Sequence, residues 1–215
     1  MANRLKGRDG IASSWIGEGS TAEGDFHSAC TLASTYKAPT LLNVVNNQWA
    51  ISMHQNISGG AAETFASKAI GFGIPGIRVD GNDYLAVYAV TKWAAERARA
   101  GHGATLIELF TYRGEAHSTS DDPSRYRPKD EWKSWPLGDP VERLKSHLIM
   151  DGVWSDEEHS DLEADSKNEV TKAWKESVSY GTLEDGPHAP VQTMFEDVFA
   201  EQPWHIRRQR QALGH

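Results

Sequence analysis

A single cysteine, Cys30, occurs in the 215 residues. Its solitude excludes an internal disulfide and any metal centre built from several thiolates, and its place in a helical stretch predicts a buried, reduced thiol. Also missing is any apolar run near the ~18 residues that a bilayer-crossing helix requires, so no membrane partner is expected. The opening segment Met1-Ala2-Asn3-Arg4-Leu5-Lys6-Gly7-Arg8 leads into no signal-peptide apolar core, and a cytoplasmic location is the expectation. Positive charge is in deficit: 22 Lys and Arg against 30 Asp and Glu leave a net charge of −8. That balance argues against a nucleic-acid partner, although Arg207, Arg208 and Arg210 make the C-terminus locally basic, as a helix cap or a contact for an acidic partner would be. Internal repeats and low-complexity tracts are absent as well. What remains is 39% apolar content distributed through a charged chain, sufficient for one substantial core.

Periodicity divides the chain into alternating elements. It predicts strands at 11–16, 40–45, 76–80 and 105–111, and helices at 21–36, 63–70 and 83–100, with a loop over 46–62. Such alternation gives an α/β fold, a parallel sheet flanked by helices. Thr105 to Thr111 is nearly continuous in apolar character, as a strand buried on both faces must be. Residues 112–137 then lose apolar periodicity and read as one long ordered loop, a length that is usually functional. Beyond it come three helices: Asp139-Pro140 to Met150, a charged one capped by Ser155 and running to Tyr180, and a short one from Val191 to Phe199. The expected domains are therefore an α/β unit at 1–137 and a helical C-terminal extension at 138–215. Four strands are few for a doubly wound sheet, and strand 11–16 would lack a neighbour on one side. The predicted fold is thus incomplete at its N-terminal end, as in the second half of a larger domain or one component of an obligate assembly.

Gly17-Glu18-Gly19 lies between the first strand and the first helix, and Asn46-Asn47 closes the second strand. Both fall beyond the carboxyl ends of strands, where open α/β sheets bind ligands. A diphosphate requires backbone N–H donors and a divalent cation; Gly17 and Gly19 supply the turn for the donors, and Glu18 and Asn47 supply oxygens to magnesium. This combination looks like a thiamine diphosphate site. Gly17-Glu18-Gly19-Ser20-Thr21-Ala22 also satisfies the dinucleotide fingerprint G-x-G-x-x-A. That alternative wants a carboxylate at the end of the following strand to hold a ribose, and Val45-Asn46-Asn47 provides none. A bland alternative stays open beside both: glycines making a tight turn and an Asn pair capping a strand.

The long loop begins Thr111-Tyr112-Arg113-Gly114-Glu115-Ala116-His117-Ser118-Thr119-Ser120-Asp121-Asp122-Pro123, again at a strand end. His117 is suited to donate to a phosphate or a developing alkoxide, and Arg113 to pair with a carboxylate or phosphate, with Arg125 as a second cation. Ser118 would be sensitive to added negative charge beside a diphosphate. Together with Trp15 to His27, Asn43 to Ser52, Arg78-Val79-Asp80-Gly81-Asn82-Asp83 and the C-terminal Met194 to Phe199 and Arg207 to Gln211, this loop resembles a known family over essentially the whole chain. The family is the alpha subunit, C-terminal half, of the thiamine diphosphate-dependent first component of branched-chain 2-oxo acid dehydrogenase, bacterial type.

The resemblance implies a thiamine diphosphate-binding fold and an enzyme, with thiamine diphosphate and magnesium as cofactors. It implies magnesium held by the Glu18 and Asn47 side chains and the Trp49 carbonyl, diphosphate contacts from Gly19 and Ser20, and a cofactor-binding set of Gly17, Gly19, Ser20, Asn47, Arg113, His117 and Ser118. His117 is implied as the catalytic residue, set near the cofactor's reactive end. The activity implied is oxidative decarboxylation of branched-chain 2-oxo acids, 3-methyl-2-oxobutanoate among them, with the acyl group passed to a lipoyl arm. Implied partners are a beta subunit in an alpha2beta2 heterotetramer and a lipoyl-bearing acyltransferase core. Two departures stand out: Val45 where some relatives carry a phosphate-binding Arg, and Ala116 where animal enzymes have a second His. Pyruvate or acetoin dehydrogenase alpha subunits, and an inactive fragment that acts only in assembly, are the alternative readings.

Overall fold

The computed structural model describes residues 1–59, 63–134, 138–181, 185, 189–196 and 199–214. They form two compact units, Met1–Trp154 and Ser155–His215.

The first unit is built on four parallel strands, β1 (Ala12–Gly17), β2 (Thr40–Asn46), β5 (Gly76–Asp80) and β6 (Thr105–Phe110), in the order β1-β2-β6-β5. The expected α/β class and all four expected strands are present. Parallel neighbours need crossovers, and the crossovers here are helical: α2 (Gly24–Thr35) joins β1 to β2, and α4 (Tyr84–Arg99) joins β5 to β6. Burial sorts the strands as composition predicts. Thr105, Leu106, Ile107, Glu108 and Leu109 of β6 are all buried, whereas most of β1 is exposed. β1 is an edge, with no strand beyond it among the described residues.

Strand alternation sends side chains to two cores. On one face Phe26, Cys30 and Ala33 of α2 meet Val44, Leu106, Phe65, Ala66, Ala69 and Ile74. On the other Leu41, Val79, Ile107 and Leu109 meet Ala94 and Ala98 of α4. The small residues of α4 let its axis approach the sheet closely. Cys30 is fully buried, and that burial pushes its thiol up to about 11. Asp83 caps α4 by accepting from the Ala86 N–H at 2.9 Å, as the sequence expects.

Several elements differ from the reading of the sequence. Glu18–Ala22 is a separate 3₁₀ turn, and α2 begins only at Gly24 because Glu23 is extended, with ψ 146°. The expected helix at 63–70 is a 3₁₀ segment, Ala66–Phe72. The loop expected over 46–62 contains a small hairpin, β3 (Trp49–Ala50) with β4 (Met53–His54), followed by α3 (Gln55–Ser58); residues 60–62 lie outside the described residues. A short helix α1 (Ala2–Leu5) precedes the sheet.

Loop 112–137 is described as far as Ser134 and holds two 3₁₀ turns, Pro123–Arg125 and Glu131–Ser134; residues 135–137 lie outside the described residues. Helix α5 (Pro140–Met150) starts at the expected Asp139 cap and lies within the first compact unit, which runs to Trp154. Arg143 of α5 pairs with both Asp80 and Asp83, tying the helix to the end of β5 and the cap of α4.

In the second unit Ser155 caps α6 (Asp156–Ser179), accepting from the Glu158 N–H at 3.1 Å while Glu158 accepts from the Ser155 hydroxyl. Every residue of α6 is exposed or half-buried, as its Glu and Lys content predicts. The helix expected over 191–199 is a 3₁₀ turn, Val191–Phe195, and residues 197 and 198 lie outside the described residues. A last helix, α7 (Trp204–Ala212), carries Arg207, Arg208 and Arg210 along its body. Among the described residues no helix is long and apolar enough to cross a membrane.

Candidate functional site

β1 and β2 pair with Gly17 opposite Val45, so the residues that follow the two strands leave the sheet side by side. From β1 comes the 3₁₀ turn Glu18–Ala22, tightened by the Thr21 hydroxyl donating to the Glu18 carbonyl at 2.7 Å. From β2 comes the turn into β3. The two turns touch at Gly19, where a Cβ would lie 2.5 Å from the Cβ of Ala50. Glycine is therefore required by close approach, whatever its φ.

Glu18 is buried, 1% exposed, and its Oε1 has no hydrogen-bond partner. Burial raises its carboxyl above the ordinary range, partly opposed by the backbone N–H groups of Glu18 and Asn47 and by the charges of Arg113 and His54. A buried carboxylate oxygen with no partner costs roughly 1–3 kcal/mol or more, so its presence at a strand end is a mark of a ligand site. Asn47 lies next to it, its Oδ1 accepting from the Trp49 N–H at 3.1 Å. The Trp49 carbonyl accepts from Arg113 Nη1 at 3.1 Å. Amide and carbonyl oxygens each have two lone pairs, so both retain one for a cation. One carboxylate, one amide and one carbonyl oxygen are a donor set of the hard, oxygen-only kind that magnesium takes, with phosphate and water completing its octahedron. Soft or imidazole-seeking metals fit less well: among the described residues no three His, Cys, Asp or Glu side chains are placed so that they could hold one ion together.

The segment that carries Asn47 and Trp49 is strained at two residues. Gln48 and Ile51 have left-handed φ of 72° and 56°. For a β-branched residue such as Ile51 this is a true outlier, and each costs on the order of 1–3 kcal/mol unless the surroundings enforce it. Arg113 is one enforcer. Besides Trp49, its Nη2 donates to the Ile51 carbonyl at 2.9 Å and to the Tyr126 hydroxyl.

Arg113 also links the turn to the loop. The Tyr126 hydroxyl in turn donates a hydrogen bond to Asp121 Oδ2 at 2.6 Å, and the same oxygen accepts the His117 N–H at 2.8 Å. Those two bonds, Tyr126 first, hold the Asp121 carboxyl below its usual range. The run from the Trp49 carbonyl to His117 is thus continuous through Arg113, Tyr126 and Asp121. Arg127 holds the loop's base, donating to the carbonyls of Arg113, Gly114 and Glu115. His117 and Ser118 are themselves exposed; the Ser118 and Ser120 hydroxyls lie 3.3 Å apart.

The structure therefore gathers Gly17, Glu18, Gly19, Asn47, Trp49 and Arg113 into one place and ties His117 to it by backbone. Ser20 faces elsewhere: it lines a cavity of about 410 Å³ with Ser14, Phe26, Cys30, Leu42, Glu23 and Asp25. That cavity holds two carboxylates and no cation, the wrong chemistry for a diphosphate. Sequence reasoning missed His54, whose ring packs edge-on against Trp49 at 5.0 Å, as well as Tyr126, Asp121 and Arg127. It named Arg125 as the second loop cation, but Arg125 is exposed and paired only locally with Asp122. Three arginines in one loop are equivalent in sequence; only the fold distinguishes them.

The family model for the dehydrogenase E1 component matches residues 1–185. The chain is 58% identical to the 2-oxoisovalerate dehydrogenase subunit alpha of Pseudomonas aeruginosa, over 100% of this chain and 52% of that protein. It is 42% identical to the 3-methyl-2-oxobutanoate dehydrogenase subunit alpha of Mycobacterium tuberculosis, over 99% of this chain and 56% of the relative. A pyruvate dehydrogenase E1 component subunit alpha from Acholeplasma laidlawii is 41% identical, over 97% and 59%. The chain spans about half the length of these curated relatives.

Proposed function

Because the chain belongs to the dehydrogenase E1 component family, we propose that it provides the magnesium-binding part of a thiamine diphosphate-dependent alpha subunit that oxidatively decarboxylates branched-chain 2-oxo acids. The observation that carries the cofactor reading is the partnerless, buried Glu18 Oε1 beside Asn47 and the Trp49 carbonyl. The substrate class rests on the 58% identity to a 2-oxoisovalerate dehydrogenase subunit, against 41% to a pyruvate one.

Glu18, Asn47 and the Trp49 carbonyl hold magnesium, and the Gly17-Glu18-Gly19 turn offers N–H groups to the diphosphate. Ser20, although it lines the neighbouring cavity, contributes through its backbone. Thiamine diphosphate supplies the electron sink for loss of carbon dioxide from the 2-oxo acid. Arg113 keeps the metal turn and the loop in one arrangement. His117, carried by the ordered loop, donates a hydrogen bond to negative charge developing on the keto oxygen of the substrate or to the incoming lipoyl acceptor. Ser118 and the rest of loop 112–127 exclude water when the site is occupied. A beta subunit completes the site, and a lipoyl-bearing acyltransferase takes the acyl group.

The test is calorimetric titration of thiamine diphosphate into the assembly containing this chain, with magnesium and with EDTA. Binding is expected only with the divalent ion, and Asn47→Ala is expected to weaken it several-fold or more. Equal affinity in all three conditions would remove the metal assignment. Rates with 3-methyl-2-oxobutanoate and pyruvate then decide the substrate class.

A further inference from the structure

Glu108 is a fully buried carboxylate in the middle of the central strand β6, on a face otherwise formed by Leu106, Phe65, Ala66 and Ala69. Nothing in the mechanism above uses it. A buried charge is seldom the most stable filling for such a position, since well-packed apolar residues generally do as well or better. Its contacts suggest what it does instead. Oε1 accepts from Asn46 Nδ2 at 2.8 Å, and Oε2 accepts from the Ala66 N–H at 2.9 Å. Arg78, stacked over the Phe110 ring, lies 3.5 Å from Oε1.

Asn46 is the next link. It is 1% exposed, and with its amide nitrogen fixed by Glu108 and by Gln55 Oε1 at 2.8 Å, its Oδ1 accepts the Gln48 N–H at 3.1 Å. Gln48 is itself anchored, donating through Nε2 to the Thr111 carbonyl at 2.9 Å. Gln48 stands between the two proposed ligands Asn47 and Trp49, and its φ of 72° sets how the chain turns from one to the other. The buried network therefore reaches from a carboxylate under the sheet to the single backbone conformation on which the ligand spacing depends.

We propose that Glu108 is a positioning residue for the magnesium site, acting through Asn46 to hold Gln48 in its left-handed conformation and thereby Asn47 and the Trp49 carbonyl in register. The inference rests on the magnesium reading of the preceding section. Partners one step removed from a metal ligand commonly change metal affinity 10–100-fold when altered.

The experiment measures the half-saturating magnesium concentration for thiamine diphosphate binding in the assembled protein, together with the melting temperature without cofactor. Glu108→Gln presents an amide N–H₂ to the Asn46 N–H₂ or to the Ala66 N–H, and is expected to raise the magnesium requirement about tenfold or more. The paired variant Asn46→Asp with Glu108→Gln restores a donor facing an acceptor and leaves an oxygen for the Gln48 N–H; the Gln55 amide must turn to present its N–H₂ in place of Oε1, giving up its weak 3.4 Å bond to Gln48, so the pair is expected to recover part of that loss. An unchanged magnesium requirement in Glu108→Gln, or a lowered melting temperature with that requirement intact, would overturn the proposal. So would a loss that the paired variant fails to recover, or failure of both variants to assemble, which would make Glu108 a residue of the fold alone. If the unaltered assembly shows no magnesium dependence, the magnesium reading itself fails; if it does and Glu108→Gln matches it, only the role of Glu108 fails.

Discussion

Replacing Arg113 with Met should release loop 112–127 while leaving the sheet intact. The guanidinium makes charge-assisted bonds to the carbonyls of Trp49 and Ile51 and to the Tyr126 hydroxyl, and its side chain is only 10% exposed. Bonds to a charged donor are each worth ~1.5–3 kcal/mol, but Ile51 is exposed and water replaces the bond there, so the Trp49 bond dominates and the net loss is about 2–3 kcal/mol. Converted to an opening equilibrium, that is a gain of roughly 30- to 150-fold in local opening. Methionine keeps the stem's volume, so packing changes little. The assay is hydrogen exchange of the assembled protein, followed at the amides of His117, bonded to Asp121, and of Asp121, bonded to Ser118. Both should lose protection by that factor, while the Leu106 and Ile107 amides of β6 stay protected. Arg113→Lys keeps the charge but lacks the planar fork, so it should recover only part of the loss. Exchange at His117 within twofold of the parent protein in Arg113→Met would refute the idea that Arg113 couples turn and loop.

Three further outcomes are expected. His117→Ala should leave thiamine diphosphate affinity within about tenfold and lower lipoyl acylation about a hundredfold or more, measured separately from decarboxylation; normal rates for both steps would make His117 a bystander. Ser118→Glu should abolish turnover, because a carboxylate added next to Asp121 and Asp122 repels them and unsettles the loop; full activity would place this loop away from the cofactor. Cys30, fully buried with its thiol pushed up to about 11, should be only about one part in a thousand thiolate at pH 8 and react with a disulfide reagent at a rate set by unfolding, so that rapid labelling of the native protein would contradict its burial.

The sheet was readable from composition because burial on both faces leaves no room for polar alternation in β6, and because Asp83, Asp139 and Ser155 are side chains that cap helices by a local, sequence-visible bond. The turns at the ends of β1 and β2 were readable for a related reason: glycines and asparagines mark them. The hairpin β3/β4 was not, since two-residue strands carry no period. Nor was the distinction between Arg125 and Arg127, which depends on which guanidinium meets three converging carbonyls. Thr21 and Ala22 were read as the start of α2 because they suit either helix; the 3₁₀ turn they belong to is held by contacts from distant residues, Gly19 against Ala50 and Thr21 accepting from Lys68. Glu108, Asn46 and Gln48 were hidden for the opposite reason: a single carboxylate in an apolar strand looks like noise until its partners from another strand are known.

The pairing of Gly17 with Val45 makes the sheet a ruler with coarse graduations. A strand can slip past its parallel neighbour only by whole residues, about 3.3 Å at a time, and each single step also turns its side chains to the opposite face. Glu18 and Asn47 inherit that discreteness. The strands can misplace them only by a whole step of register; any finer adjustment of their spacing lies in the turns that follow, Glu18–Ala22 and the left-handed Gln48. A slip of register would take the two residues apart altogether, whereas a change in either turn would only shift one against the other.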